Sequence, residues 1–382
     1  MTTAPIAPAD LAPVLRPLGQ ATMLPAAAYT ADAVLAWERR HLFAGSWVCL
    51  GRHDELRHDG DGRPLTQCAL VSGDVPVVLT FPSDGVVHAL ANTCRHRGHE
   101  VLPPGAGSTR HGLLCPYHAW NYTLDGSLAK APGFERVARF DPEAFGLVQL
   151  PVVVWHGWVF VNASGDGPPF ADHVGDLDSL VAPYWPATLV RRAGRDYEVA
   201  ANWKVIVENY HECYHCPLIH PELCRVSPPT SGVNFDMLGA WVGGSMELRN
   251  GAETMSLSGA SNAVAIEGAD PRTVLYVGLF PNLLISLHPD YIMTHKLTPL
   301  APALTRVECE WYFVDNDCDP ADAVDFWDLT NRQDWAACES VQRGVASPHF
   351  MPGPFAPTED AVHEWVTMVA RVYQGIAPHI PA

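Results

Sequence analysis

The sequence predicts an α+β protein in which a small, mostly antiparallel β domain precedes a larger domain of mixed helices and strands. In residues 47–162, short strand-like runs such as 75–81 and 158–162 are broken by Gly, Pro and Asp. The Gly- and Pro-rich stretch 163–169 has the composition of a linker. Beyond it, helical and strand-like patterns alternate. We therefore expect an N-terminal segment at 1–45, a β domain at 46–165 and a larger domain at 166–382.

The individual elements follow from their hydrophobic periodicity. The N-terminal segment contains a helical pattern at 31–43 and is expected to pack on the larger domain. In that domain we predict helices at 202–215, 321–345 and 359–373, and two strands within 274–288. The last helix has the clearest apolar face, and Thr358 is its expected N-cap; the face consists of Val362, Trp365, Val369, Val372 and Tyr373.

Composition excludes several classes of protein. The 382 residues are 48% hydrophobic and 17% charged, so the chain can bury a substantial core. The net charge is −18 and only three residues are lysine, so no basic stripe is present to bind nucleic acid. No apolar run approaches the ~20 residues of a membrane span, and the N-terminus lacks a signal-peptide pattern. The expected location is the cytoplasm.

A first metal-binding pattern lies in the β domain. It reads C-x-H, then C-x-x-H, and consists of Cys94, His96, Cys115 and His118. Two thiolates and two imidazoles can hold a tetrahedral zinc, or a two-iron cluster in which histidines replace two cysteines on one iron. Gly98 and Pro116 put each ligand pair in a tight turn. This favours two loops that clamp a cluster, since zinc fingers place both histidines on one helix.

A second pattern lies in residues 202–220. On a regular helix Glu208, Glu212 and His215 fall within about 40° of one another. His220 would lie ~140° from His215, but Pro217 cannot continue the helix, so the chain can turn and bring the two histidines together. With a carboxylate, they form the set typical of non-haem iron.

The same segment also contains a C-x-x-C pair, which remains open as a redox or zinc motif. Its members are Cys213 and Cys216, which flank the histidine of the iron pattern.

The carboxylate ligand is indicated by an interrupted apolar stripe in the helix 321–345. Asp334 stands in this stripe among Val324, Trp327, Asn331, Cys338, Val341 and Val345. A buried carboxylate needs a partner or a metal. The alternative is an ion pair with Arg332 or Arg343.

Together these patterns resemble the oxygenase (alpha) component of the Rieske non-haem iron oxygenases. That resemblance implies a Rieske domain and a helix-grip catalytic domain, in which helices cover an antiparallel sheet. It implies a [2Fe–2S] cluster held by Cys94, His96, Cys115 and His118. It further implies a mononuclear Fe(II) held by His215, His220 and Asp334.

The resemblance also implies how electrons arrive. Glu212 matches the acidic residue that links the centres by bonding His215 and His118 of the partner subunit, in a head-to-tail homotrimer. The chain has no G-x-G-x-x-G after a strand, so it cannot bind NADH by the Rossmann route. A separate NAD(P)H-dependent flavin and iron–sulfur reductase is expected, with O₂ as co-substrate.

The subgroup it most resembles acts on glycine betaine, choline and carnitine. We therefore expect N-demethylation of a quaternary ammonium compound such as glycine betaine, with release of formaldehyde. Five aromatic residues could contact the cation: Trp241, Tyr276, Phe280, Tyr291 and Trp311. The alternative within the family is hydroxylation or dihydroxylation of an aromatic ring or acid. An iron–sulfur electron carrier would leave the second pattern unexplained. A zinc-stabilised binding module explains neither the spacing of the first pattern nor the interruption of the apolar stripe by Asp334.

Overall fold

The computed structural model describes residues 2–314 and 318–378, which divide into two compact units. One unit comprises residues 38–168. The other comprises residues 1–37 and 169–382, so the N-terminal segment belongs to the same unit as the C-terminal half. Among the described residues, no helix combines the length and the apolar composition that a membrane crossing requires.

The chain begins with three helices: α1 (Pro8–Leu11), α2 (Ala26–Thr30) and α3 (Asp32–His41). The predicted helix at 31–43 is confirmed as α3. The N-terminal segment is tied to the larger unit through its backbone, because Ala4 N–H donates to Tyr373 O at 2.8 Å.

The smaller unit is almost entirely antiparallel β structure, as predicted. Its elements are β1 (Val48–Arg52), α4 (His53–Leu56), β2 (Gln67–Ser72), β3 (Val75–Thr80), β4 (His88–Ala91), β5 (Gly105–Gly107), β6 (Leu113–Leu114), β7 (Asn121–Tyr122), β8 (Leu128–Lys130), β9 (Gln149–Leu150), β10 (Val152–Trp155) and β11 (Trp158–Val161). They form three sheets, with strand orders β5-β2-β3-β4-β9, β1-β11-β10 and β6-β7-β8. The third sheet is a short meander that positions one of the two metal-binding loops.

The larger unit is built on one antiparallel sheet of seven strands. Its elements are α5 (Phe170–Val174), α6 (Leu177–Val181), β12 (Val190–Val199), α7 (Trp203–Tyr210), α8 (Cys216–Ile219), α9 (Pro221–Val226), β13 (Val233–Asn234), β14 (Trp241–Glu247), β15 (Thr273–Leu279), β16 (Leu283–Leu287), β17 (Tyr291–Ala301), β18 (Leu304–Phe313), α10 (Ala321–Val345) and α11 (Asp360–Tyr373). The strand order is β12-β18-β17-β16-β15-β14-β13. Helices α7, α10 and α11 contact the sheet, and α7 also contacts α10 and α11. The prediction of an antiparallel sheet covered by helices is confirmed.

Three local predictions are wrong. The helix predicted at 202–215 ends at Tyr210, for a reason given with the site below. Thr358 does not cap α11, because that helix begins one residue later than predicted, with Glu359 at its N-cap and no side-chain cap. Val341 is 42% exposed, so the apolar stripe of α10 does not include it.

A buried carboxyl group links α2 to α7. The Tyr29 hydroxyl lies 2.9 and 3.2 Å from the two carboxyl oxygens of Glu208. Burial disfavours the charged form of this side chain, and the pKa of Glu208 rises to about 8 although Tyr29 and Lys204 oppose the shift. Glu208 is therefore protonated in the folded protein at neutral pH.

This protonation makes stability depend on pH, and Glu208→Gln should remove that dependence. Between about pH 4.5 and pH 8 the folded state holds a proton that the unfolded chain has released, so stability falls as pH rises through this window. The melting temperature of Glu208→Gln, measured by calorimetry at several pH values, should therefore rise relative to that of the wild type as the pH increases. From about pH 4.5 to pH 8 this difference should change by about 4 °C or more. The exposed Glu198→Gln is the control, and equal pH slopes in wild type and Glu208→Gln would contradict the assignment.

Candidate metal centres

The chain breaks between α7 and α8, and this break brings the second set of predicted ligands together. Glu212 Oε2 accepts hydrogen bonds from the backbone N–H groups of Tyr214 and His215. In a continued helix those N–H groups would bond to carbonyls four residues earlier. The Glu212 side chain thus replaces the helical bonds, and α7 ends at Tyr210, two residues before Glu212.

The break therefore precedes the proline. Pro217 lies in the first turn of α8, where the missing N–H costs nothing, and does not itself turn the chain. His215 stands at the start of α8 and His220 at its end, so one short helix presents both histidines.

Three ligand atoms from α8 and α10 converge. His220 Nε2 lies 2.9 Å from Asp334 Oδ1, His215 Nε2 lies 3.3 Å from the same oxygen, and the two Nε2 atoms are 3.2 Å apart. Three ligands at right angles and ~2.1 Å from one ion would be separated by ~3.0 Å, so the spacing fits a single divalent cation. The alternative ion pair with Arg332 or Arg343 is wrong, because the described partners of Asp334 are the two histidines, and Arg332 instead binds Asp328 at 2.8 Å.

The far nitrogens of both imidazoles fix which atoms are free to bind a metal. His215 Nδ1–H donates to Glu212 Oε1, and His220 Nδ1–H donates to Gln333 Oε1 at 2.7 Å. With both protons on Nδ1, the two Nε2 lone pairs point at each other and at a carboxylate. Such an arrangement of acceptors needs a positive charge between them, so the residues fit the cation that the pattern predicts.

The pKa values of His215 and Asp334 also show that this cluster favours a positive charge. Burial disfavours the imidazolium form of His215, but hydrogen bonds to Asp334 and Glu212 outweigh burial and raise its pKa to about 9. Burial likewise opposes ionisation of Asp334, yet hydrogen bonds from both histidines hold its pKa below the usual range. Proton and metal compete for one site that demands a cation.

A cavity of about 630 Å³ reaches this ligand set. Its walls come from α7, α10 and the strands β14 to β17, and five tyrosine and tryptophan residues line it: Tyr210, Tyr214, Tyr276, Trp327 and Trp335. Of the five aromatic residues expected from the sequence, Tyr276 lines the cavity, and the other four are buried elsewhere in the unit. The volume suits a small organic molecule.

Cys213 and Cys216 form a disulfide whose residues flank His215 and line the cavity. The C-x-x-C spacing had left open a redox or a zinc motif for this pair, and in the structure the two thiols are joined to each other. Five further cysteines that belong to neither pattern are buried: Cys49, Cys68, Cys309, Cys318 and Cys338.

In the smaller unit, two loops of matching geometry carry the first ligand set. Cys94 O accepts from Gly98 N–H at 2.9 Å, and Cys115 O accepts from Ala119 N–H at 3.1 Å. Each loop passes through a left-handed residue at that point, with φ of 75° at Gly98 and 58° at Ala119. The two tight turns predicted around the ligand pairs are therefore present, and both close with the same type of hydrogen bond.

The loops separate soft ligands from nitrogen ligands. The thiols of Cys94 and Cys115 are buried, free and in contact with each other. The rings of His96 and His118 lie toward the surface with centroids 4.6 Å apart, and Nδ1 of His96 is buried without a partner among the described residues. A sulfur pair beside a nitrogen pair fits a two-iron cluster better than one tetrahedral ion.

Sequence reasoning missed two residues that support the ligands. The Tyr122 hydroxyl accepts from Arg95 N–H at 3.0 Å and lies 3.2 Å from Cys94 Sγ, to which it can donate. Gln333 holds His220, as described above. Position 333 could have been suspected as the neighbour of Asp334, whereas no sequence pattern marks Tyr122.

Comparison with known proteins agrees with this geometry. Residues 46–141 match the Rieske [2Fe-2S] domain family, and residues 186–375 match the family of the ring hydroxylating alpha subunit (catalytic domain). These ranges contain the first and the second ligand set, respectively.

Similar proteins cover nearly the whole chain. The glycine betaine monooxygenase oxygenase subunit of Chromohalobacter salexigens is 30% identical over 91% of this chain and 86% of its own length. Chloroplastic choline monooxygenase of Arabidopsis thaliana is 28% identical over 91% of this chain and 82% of its own length. The crystal structure of the quaternary ammonium Rieske monooxygenase CntA with L-carnitine matches with a TM-score of 0.76 and 25% sequence identity. The match covers 97% of this chain and 99% of the CntA chain. The chain belongs to the Rieske non-haem iron oxygenases, as an oxygenase (alpha) component whose family carries a [2Fe–2S] cluster and a mononuclear iron.

Proposed function

We propose that this oxygenase oxidises an N-methyl carbon of a quaternary ammonium compound, such as glycine betaine, and releases formaldehyde. The observation that carries the proposal is the aromatic-lined cavity that reaches the ligand set of His215, His220 and Asp334. The full-length similarity to a glycine betaine monooxygenase supports the substrate class.

The proposed ligands are those predicted from the sequence. Cys94, Cys115, His96 and His118 would hold the [2Fe–2S] cluster in a Rieske domain at 46–165. His215, His220 and Asp334 would hold Fe(II) in a catalytic domain at 166–382. When bound, this iron supplies activation of O₂ beside the substrate, in a facial set with open positions.

The reaction balances with an external reductant. R–N⁺(CH₃)₃, O₂, two electrons and two protons give the N-hydroxymethyl product and water. The hydroxymethyl group then loses a proton from oxygen, the C–N bond breaks, and formaldehyde leaves a dimethylamine. A separate reductase would supply the electrons from NAD(P)H. The homotrimer and the cytoplasmic location stay predictions.

The chain's own side chains orient the reaction. Glu212 and Gln333 keep both imidazole Nδ1 atoms protonated and fix the ring directions. The aromatic walls exclude water and offer ring faces to a trimethylammonium group.

The first test is formaldehyde release from a panel of betaines, with iron-loaded protein, NADH and a generic reductase. We expect formaldehyde in a one-to-one ratio with NADH consumed for one quaternary ammonium compound, with O₂ consumption followed in parallel. NADH oxidation without formaldehyde from any of them would contradict the proposal, and aromatic acids would be the next panel.

A second test addresses Glu212 as a positioning residue. Glu212→Ala should retain both metals but lower turnover by at least about 100-fold, since His215 loses the partner that orients it and the proposed electron link is cut. Iron content by metal analysis, and reoxidation of the reduced cluster after mixing with O₂ and substrate, separate these effects. Glu198→Ala, on the surface of the same unit, is the control, and loss of iron from Glu212→Ala would refute the assignment.

A third test concerns Tyr122. Its hydroxyl can donate to Cys94 Sγ, and a hydrogen bond to a ligand sulfur stabilises the more negative reduced cluster. Tyr122→Phe should therefore lower the cluster's reduction potential by up to ~60 mV, which corresponds to ~1.4 kcal/mol for one electron. The exposed Tyr117→Phe serves as the comparison in a spectroscopic redox titration; an unchanged potential in Tyr122→Phe would rule this role out.

A further inference from the structure

One aromatic residue of the cavity wall leads away from the metal ligands. Trp335 follows Asp334 directly in α10, is buried, and lines the same cavity as the three proposed iron ligands. Its ring is in edge contact with the ring of Tyr197 in β12, with 5.8 Å between the centroids and 61° between the planes. Electron transfer between two side chains falls steeply with distance, so these two rings are placed to exchange an electron.

Tyr197 connects this contact to a carboxylate that reaches the surface. Its hydroxyl donates to Asp328 Oδ1 at 2.6 Å, and Arg332 Nε donates to Asp328 Oδ2 at 2.8 Å. The side chain of Asp328 is 23% exposed. Burial opposes ionisation of Asp328, but hydrogen bonds from Arg332 and Tyr197 outweigh burial and hold its pKa below the usual range. The carboxylate is therefore ionised at neutral pH and can take up a proton.

The indole N–H of Trp335 has no such acceptor. Its Nε1 is buried without a hydrogen-bond partner among the described residues. An oxidised tryptophan whose N–H faces no base keeps its proton and its positive charge, so it remains a strong oxidant. It can then take an electron from Tyr197, whose proton has Asp328 to receive it.

The charges around Tyr197 require the electron and the proton to leave together. The Arg332 guanidinium carbon lies 5.7 Å from the centroid of the Tyr197 ring, and its charge disfavours a positively charged radical there. When the proton moves along the hydrogen bond to Asp328, the tyrosyl radical that remains is neutral. The ion pair beside Tyr197 thus favours loss of both particles over loss of the electron alone.

Two other rings of the cavity wall do not lead to a base. Tyr210 Oη lies 2.9 Å from Ser286 Oγ. Trp327 Nε1 donates to Tyr291 Oη at 2.7 Å, and that hydroxyl donates to a backbone carbonyl at 2.7 Å. Neutral hydroxyl and carbonyl oxygens accept a hydrogen bond but do not take up the proton. Trp335 differs from both rings because the tyrosine that it contacts is bonded to a carboxylate.

We propose that Trp335 and Tyr197 form an electron-transfer path that carries an oxidising equivalent away from the metal centre when O₂ is activated without substrate in the cavity. Trp335 first loses one electron to the metal centre. Tyr197 then returns an electron to Trp335 and loses its proton to Asp328, which leaves a neutral tyrosyl radical and a protonated carboxyl group. A soluble one-electron reductant such as ascorbate restores the electron, and Asp328 restores the proton.

The path protects the residues around the iron. An equivalent that stays in the cavity would oxidise the nearest side chains, among them the ligand His215, whereas Tyr197 lies outside the cavity lining. The inference rests on the proposed function, because O₂ activation at the iron supplies the oxidant. It does not depend on which substrate the enzyme takes.

The test uses hydrogen peroxide, which supplies oxidising equivalents without a reductase. Iron-loaded protein with an oxidised cluster and no substrate is mixed with peroxide and frozen, and EPR should show a tyrosyl radical whose lines change in protein made with ring-deuterated tyrosine. Protein without the mononuclear iron should show none. Oxidation of the iron without a tyrosyl radical overturns this inference and leaves formaldehyde release, the test of the proposed function, unaffected. If neither peroxide nor O₂ with a reductase reacts at the iron, both proposals fail.

Variants separate the steps of the path. Tyr197→Phe should lose the tyrosyl signal and retain a tryptophan radical, whereas Tyr184→Phe, which removes the hydroxyl of another buried tyrosine, should keep the tyrosyl signal. Trp335→Phe should lose both signals at unchanged iron content. Asp328→Asn, which leaves an acceptor oxygen but no base, should lose the tyrosyl signal, and the exposed Asp325→Asn in the same helix should not. An unchanged tyrosyl radical in Tyr197→Phe overturns the path.

Protection is measured separately, by peptide mass spectrometry after substrate-free turnover with ascorbate present. His215 should remain unmodified in the wild type over a number of turnovers that oxidises it in Tyr197→Phe and Trp335→Phe. Equal oxidation of His215 in the wild type and both variants overturns the protective role.

Discussion

Two imidazole nitrogens and a carboxylate oxygen face one another within 3.3 Å, and this cluster of acceptors is the constraint on which the catalytic unit depends. Because His215 and His220 donate their Nδ1 protons outward, the two neutral imidazoles leave no hydrogen between the three atoms. Such an arrangement is unstable without a positive charge, which either a proton or a metal ion can supply. The fold therefore holds a site in which a cation stabilises the native structure.

Glu212 connects that constraint to the path of the chain. One carboxyl oxygen accepts the backbone N–H groups that end the helical pattern, and the other accepts the Nδ1 proton of His215. The same side chain thus ends α7 and orients His215, a proposed iron ligand. An alanine at this position removes both interactions, whereas the sheet and α10, which contact neither oxygen, keep their own hydrogen bonds.

The sequence predicts what is encoded by local spacing and periodicity. The two loops around Cys94 and Cys115 follow from ligand spacing, and Asp334 follows from its interruption of an apolar stripe in α10. The end of α7 could not be predicted, since it depends on a side chain that replaces backbone bonds, and residues 202–215 remain periodic beyond it. The aromatic lining was also hard to predict, because the position of Tyr276 on the cavity wall depends on strand register in a seven-stranded sheet.

Burial decides which charges the cavity contains, and the net charge of −18 has little part in it. His211 and His295 are neutral because burial disfavours their charged forms, and the opposing effect of Asp334 on His295 is smaller than that of burial. Glu208 is protonated for the same reason, so its helix adds no further negative charge below the cavity. The charged side chains that line the cavity, among the described residues, are the carboxylates of Glu212, Asp334 and Asp360. The charge of the cavity lining therefore follows from a few desolvated side chains, and a surface with a different net charge would leave it unchanged.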